Sequence, residues 1–254
     1  MDYTLFGESH GKAVGVLLTD VPPGIPVDGE FIRRQLLRRM GQGGLTTARR
    51  ESDEVQILSG VYEGRTTGDP LAAVLYNTDA RSGDYAPLKN KPRPSHGDYT
   101  AAVRAQGYND TRGGGLTSGR LTAPLTAAGA IALTYLRERG ITVHGEVRDE
   151  ARLRVQAAAA RAEGDSVGGV IRCTVTGLPA GLGGPDWRDT VEGEIARHIF
   201  AIPGVKAIGF GAGEDFAALR GSEANDPFTA AEGAVRTVTN RAGGINAGIT
   251  NGMD

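Results

Sequence analysis

RGGGLTSGRLTAPLTAAGAIALTYLRERG, residues 112–140, governs the reading of everything around it. Three consecutive glycines, Thr117, Ser118 and Arg120 stand directly before a stretch whose apolar residues recur at helical spacing. That spacing predicts a helix over about 123–139 that buries Leu125, Ala128, Gly129, Ala132, Leu133 and Leu136 and ends on Gly140 as its C′ residue. A face made mostly of small residues lets other layers approach closely. Ahead of the helix, backbone amides and the two hydroxyls can converge on an anion; a glycine-rich connector that holds nothing is the competing reading. Neither a Walker lysine nor the G-x-G-x-x-G order occurs, which sets P-loop and Rossmann architectures aside.

Short apolar runs to either side predict strands over 13–19, 54–58, 71–76, 141–147, 169–176 and 205–210. A helix is expected from Asp28 as N-cap to Met40, with Glu30 in its first turn and Ile32, Leu36 and Met40 on one face. Two more are expected over 189–201, stacking Val191, Ile195 and Ile199, and over 229–241, with Gly233 inside. Residues 149–162 read as a solvated helix or an excursion. Strands and helices intermingle without a regular βαβ rhythm, so the expected fold class is α+β, a layered sandwich of mostly antiparallel sheets with helices packed between or against them. Residues 1–254 are taken as a single domain.

Glycine is 39 of 254 residues, against a usual ~7%, and clusters beside His and Arg instead of repeating, so backbone is expected to approach something closely. The 39% hydrophobic content suffices for a core, and the formal net charge of −2 supplies no global attraction to nucleic acid or an anionic membrane. No run reaches the ~20 apolar residues of a membrane span, and no leader is visible, so a cytoplasmic protein is expected. The single cysteine, Cys173, alternates with Ile171 and Val175 and is expected to be a buried core thiol. No His, Cys or carboxylate grouping has metal-ligand spacing.

Three further stretches carry chemistry: FGESHG (6–11), LTTARRE (45–51) and RPSHGD (93–98). His10 and His96 each sit between a serine and a glycine, a setting that lets another molecule come close; each reads as a general acid or hydrogen-bond donor, or as a turn residue with a satisfied ring. His144 and His198 read as structural. Arg38, Arg39, Arg49, Arg50, Arg93, Arg112 and Arg120 fall in or beside these motifs, and planar guanidinium groups match carboxylate and phosphate oxygens two at a time. Together they favour a ligand with several anionic groups.

These residues resemble the chorismate synthase family across nearly the whole chain: besides the four motifs, VPPGIP (21–26), TTARRESDEVQILSGVYEGRTTGDP (46–70), NTDARSGDY (77–85), EGDSVGG (163–169), GLPAGLG (177–183), LRGSEAND (219–226) and AGGINAGITNG (242–252). The resemblance implies 1,4-anti-elimination of phosphate from 5-enolpyruvylshikimate 3-phosphate to chorismate, with reduced FMN required, NADPH as a reductant, and a homotetramer. It implies His10 as the acid serving the departing phosphate and His96 as the partner of anionic reduced flavin. Ser9, Arg38, Arg49, Arg93 and Arg120 are implied as substrate clamps, and Leu116, Thr117, Ser118 and Ala247 as flavin contacts. The chain departs from the family pattern at Leu116, at Gly44, at Ser95 where a glycine is usual, and at Asn246 and Ala247. The family continues beyond the position of Asp254 through a further flavin segment and an acidic motif, so a non-catalytic fragment that binds flavin or an anion is the alternative expectation.

Overall fold

The computed structural model describes residues 1–40, 51–78, 91–231 and 233–254. Residue contacts divide the chain into two compact units, Met1–Tyr135 with Arg154–Ser166, and Leu136–Leu153 with Val167–Asp254. Among the described residues every strand pairing is antiparallel.

The first unit is built on β1 (Asp2–Gly7), β2 (Ala13–Thr19), α1 (Gly29–Arg39), β3 (Val55–Ile57), β4 (Val61–Tyr62), β5 (Arg65–Thr66), β6 (Leu71–Tyr76), α2 (Asp98–Arg104) and most of α3 (Thr122–Arg137). Its sheet has the order β1-β2-β6-β3. Val14, Val16, Leu18, Leu71 and Leu75 of the two central strands are buried and pack with Ile32 and Leu36 of α1 and Ala127 and Ile131 of α3. Each large side chain fully withdrawn from water contributes roughly 1.5–3 kcal/mol. The register pairs Gly7 with Val14, Ala13 with Tyr76, and Val55 with Leu75. The β1–β2 loop, the residues following β6 and those preceding β3 therefore gather at one end of the sheet, and that end carries the site.

Helix α1 starts as the sequence requires, because the Asp28 carboxylate accepts from the amides of Glu30 (2.9 Å) and Phe31 (3.1 Å). Helix α3 occupies its expected span, but its buried face is Ala123, Pro124, Ala127, Ala128, Ala130 and Ile131. Of the expected stripe only Ala128 is fully buried; Leu125, Leu133 and Leu136 are half-buried. Beside a sheet already filled with Val and Leu, the small side chains turn inward and the leucines lie at the flanks.

The second unit holds β7 (Thr142–Val147), paired with β8 (Ile171–Thr176), then α5 (Val191–Phe200) and α6 (Gly221–Ala224), and the hairpins of β9 (Phe228–Ala231) with β10 (Ala234–Thr237) and β11 (Ile245–Asn246) with β12 (Ile249–Thr250); α4 (Glu150–Ala162), between β7 and β8 in the chain, falls mostly in the first unit. Three expectations fail here. The helix expected over 229–241 is the β9–β10 hairpin: its β-branched residues Thr229, Val235 and Thr237 favour strand, and Gly233 takes φ +78° between the two. The strand expected over 205–210 has no ladder partner, since that segment leads into Gly211, packed on Gly243 and the Arg241 carbonyl. Cys173 is exposed instead of buried, because β7 and β8 form a two-stranded sheet whose outer residues no described element covers; the desolvation that remains raises its thiol pKa.

Asp28→Ala is expected to lower unfolding stability by about 1 kcal/mol, read from urea midpoints at constant m-value. Ala247 sits at φ +49°, a left-handed conformation at a position where the sequence departs from a glycine-rich pattern. Ala247→Gly is therefore expected to stabilise the chain by about 1 kcal/mol in the same measurement.

Candidate functional site

Gly7 closes the β1–β2 ladder, and residues 8–11 fold into a turn in which the Gly11 amide donates to the Glu8 carbonyl at 3.0 Å. This turn withdraws two polar residues from water: Ser9 is 1% exposed and His10 8%. The Ser9 hydroxyl lies 3.1 Å from His10 Nδ1, so the ring has a neighbour that orients it. The Ser9 amide donates to the Gly115 carbonyl at 3.3 Å, bringing the glycine run onto the turn. Gly113 faces His10 directly: at φ +65°, a β-carbon there would stand 2.4 Å from His10 Nδ1 and 2.8 Å from Ser9 Oγ. Only backbone fits against the imidazole at this point.

Arg120, 5% exposed, enters the same end of the sheet from the turn before α3. Its Nη1 donates to Asp53 Oδ1, its Nε to Asn77 Oδ1 at 2.9 Å, and among the described residues its buried Nη2 has no hydrogen-bond partner. Asp53, in the segment leading into β3, also takes Arg39 Nη2 at 3.3 Å on its second oxygen. One carboxylate thus serves two guanidinium groups. A buried donor left over on such a cation is a demand for an external anion, because burying it unmet costs free energy.

The RPSHGD segment reaches the glycine run from the other side. Arg93 donates from Nε to Asp98 Oδ2 (2.8 Å), from Nη2 to Asp98 Oδ1 (2.7 Å), and from Nη2 to the Gly113 carbonyl (3.2 Å). The side-chain bonds from Arg93, outweighing the burial that opposes them, hold the Asp98 carboxyl down at about 2. Gly97 packs on the Thr117 hydroxyl, which itself donates to the Gly114 carbonyl at 2.8 Å. A cavity of about 170 Å³ lies between Arg93, Gly97, Asp98, Asp110, Gly113 and Thr117. On the far side of that segment His96 is exposed, with Nδ1 3.0 Å from the Pro94 carbonyl, and Ser95 beside it adopts φ +58°.

Of the residues singled out in the sequence, the structure links Ser9 and His10 to Arg93 through the glycine run 113–115, and to Arg120 through the side chain of Asn77. Arg38 stands apart, exposed on α1 with Nη1 on Gln35 Oε1 at 2.9 Å; its neighbour Arg39 reaches the cluster instead. Arg49 lies outside the described residues. Leu116 is 52% exposed on the glycine loop, Thr117 is exposed, and the Ser118 hydroxyl accepts from the Arg120 amide at 3.3 Å. Ala247 belongs to the second unit, exposed in the β11–β12 turn. Sequence reasoning missed Asp53 and Asn77, two buried or half-buried polar residues inside longer motifs, and the only available signal was their position just outside β3 and β6.

The sequence model of the family described as chorismate synthase matches residues 1–152 and 146–254. The chain belongs to the chorismate synthase family. Curated chorismate synthases from Thermococcus gammatolerans and Chloroflexus aggregans are 45% and 44% identical to it; the first aligns with 100% of this chain over 78% of its own length, the second with 99% over 76%. A solved structure described as a crystal structure of chorismate synthase superposes with a TM-score of 0.80 at 25% identity, covering 99% of this chain and 81% of its own. The α+β layering with antiparallel sheets agrees with that likeness. Among the described residues no grouping of three or more His, Cys, Asp or Glu could hold a metal ion, and no helix is long and apolar enough to cross a membrane.

Gly113→Ala is expected to cost about 1–2 kcal/mol of stability through its left-handed backbone, and to lower turnover far more than that loss explains, since the new methyl displaces His10. Urea denaturation and a turnover assay on the same preparation separate the two effects. For the Arg93–Asp98 pair the folded carboxyl titrates at about 2 against an ordinary 3.8. Its contribution is therefore fully present above about pH 4 and is lost as pH falls through about 2. A carboxyl NMR titration should show Asp98 return toward its ordinary value in Arg93→Ala.

Proposed function

We propose that this chain catalyses 1,4-anti-elimination of phosphate from 5-enolpyruvylshikimate 3-phosphate to give chorismate, as a carbon–oxygen lyase of aromatic amino acid biosynthesis. The observation that carries the reading is a buried Arg120, whose Nη2 has no partner among the described residues, joined through Asn77 to the turn that holds the buried Ser9–His10 pair. The substrate bears a phosphate and two carboxylates, which is the charge such a site demands. Family membership and full-chain identity above 40% to curated relatives support the same chemistry.

His10 is the acid for the leaving group. As the C–O bond to phosphate breaks, negative charge grows on the departing oxygen, and a proton delivered from His10 neutralises it. With Nδ1 beside Ser9 Oγ, the transfer runs through Nε2. Arg120 binds an anionic group of the substrate through Nη2 while Asp53 and Asn77 hold the rest of its guanidinium still, so little reorganisation is needed when charge moves. Ser9 contributes a hydroxyl at the same turn. Arg93, whose fork is engaged by Asp98 and Gly113, acts by holding the glycine run in place as much as by binding substrate. Arg38 and Arg49 remain part of the proposed clamp from the family pattern.

Reduced FMN fits beside these groups: Leu116 presents an uncovered apolar side chain next to Thr117 and Ser118, and Gly113 brings bare backbone to His10. When bound, reduced FMN supplies transient electron density that assists loss of the allylic phosphate without net oxidation. Leu116, Thr117 and Ser118 would hold it, and His96 would stabilise its anionic form; Ala247 is a flavin contact on the family pattern alone. NADPH enters this reading only as the source of reducing equivalents for FMN. A homotetramer in the cytoplasm, acting on a small molecule and on neither nucleic acid nor membrane, completes the proposal.

His10→Ala is expected to lower chorismate formation by about 10²–10⁴-fold under anaerobic conditions with reduced FMN, while His96→Ala chiefly weakens reduced-flavin binding. Turnover followed by chorismate absorbance, with flavin titrations alongside, checks both. Wild-type rates in both variants would remove the assigned roles.

A further inference from the structure

We infer that Asn77 is a positioning residue that locks His10 and Arg120 into one fixed arrangement, an inference that rests on the function proposed above. Strand β6 ends at Tyr76, paired with Ala13, and the next residue continues the ladder through its amide to the Lys12 carbonyl at 3.0 Å. The Asn77 side chain is thereby delivered under the 8–11 turn. Its Nδ2 donates to the Glu8 carbonyl at 3.0 Å and to the Gly11 carbonyl at 2.9 Å, the first and last carbonyls of the turn that carries Ser9 and His10. Its Oδ1 accepts from Arg120 Nε at 2.9 Å.

The orientation of this amide has one solution. Carbonyl oxygens can only accept and a guanidinium can only donate, so exchanging nitrogen and oxygen would break all three bonds at once. The following residue is anchored too: the Thr78 amide and hydroxyl both donate to Oε2 of the buried Glu51, at 2.7 and 2.9 Å. A single half-buried side chain, fastened at its backbone on both sides, therefore sets where the acid stands relative to the cation.

The two ends of the amide can be separated by substitution. Asn77→Asp keeps, and strengthens, the acceptor for Arg120 but turns an oxygen onto the two carbonyls, so the turn loses its clamp while the guanidinium keeps its partner. Asn77→Ala removes both. If Asn77 acts through His10, Asn77→Asp lowers kcat by about 10–100-fold with substrate Kd within about 3-fold of wild type, and the same substitution in a His10→Ala background changes kcat less than about 2-fold. Asn77→Ala should also raise the substrate Kd by about 10-fold through the loosened Arg120.

The measurement is a double-mutant cycle of anaerobic chorismate formation with reduced FMN, paired with calorimetric substrate binding and urea midpoints for each variant. Equal factors in both His10 backgrounds, or wild-type kcat in Asn77→Asp, overturn the inference while leaving the proposed function intact. An unchanged substrate Kd in Asn77→Ala overturns the Arg120 half. Should Asn77→Asp fail to fold, Asn77→Ala in the two backgrounds supplies the same coupling. A His10→Ala variant with wild-type turnover removes the acid role and the positioning role with it, whereas a wild-type chain that forms no chorismate with reduced FMN overturns the proposed function.

Discussion

The pairing of Arg120 with Asp53 joins residues 67 positions apart in a place where neither is solvated, and the rest of the site is arranged around it. Taking two charges out of water is costly, and attraction between them offsets that cost only when the geometry is good and the remaining polar atoms are met. Asp53 offsets part of the cost through a second ion pair, with Arg39 Nη2 3.3 Å from its Oδ2. Arg120 meets the condition through Asn77 on one side and, among the described residues, is left with an unmet donor on the other. The pair gives the fold no obvious gain in stability over a hydrophobic contact. What it does hold is a guanidinium fixed in one orientation by Asp53 and Asn77.

That rigidity comes from the sheet. Antiparallel register places the turn after β1, the end of β6 and the approach to β3 side by side, so three loops far apart in sequence share one short edge. The buried valines and leucines of β2 and β6 fix the register, because a slip of one residue would turn them to the opposite face. Packing in the core and precision at the site are one constraint seen at two ends of the same strands. The glycine run 113–115 then lies on the turn, tied by the Ser9 amide and by Arg93, with no side chain at Gly113 to keep the imidazole away.

Much of this was legible beforehand. The strands over 13–19 and 71–76 and the helix beginning at Asp28 follow from alternation and capping, which are local signals. The helix expected over 229–241 went wrong because a helical spacing was read into a stretch whose Thr and Val residues favour strand, and cross-strand pairing fixed it as a hairpin. Arg38 and Arg39 could not be told apart from sequence, being adjacent; the turn of α1 sends one to Gln35 on the surface and the other to Asp53. Cys173 alternates like a core residue, yet alternation shows only that one face differs from the other, not that anything covers it.

The sequence by itself determined the class of ligand and its main instruments, since histidines between serine and glycine, arginines in glycine-rich surroundings, and the motifs of the chorismate synthase family are all properties of residue order. Only the tertiary structure decided which arginine faces the cluster, that Gly113 lies against His10, and that Asn77 bridges His10's turn to Arg120. The last of these rests on hydrogen bonds between residues 43 to 69 positions apart, whose lengths and directions are set by strand register and burial. No pattern along the chain records a distance of that kind.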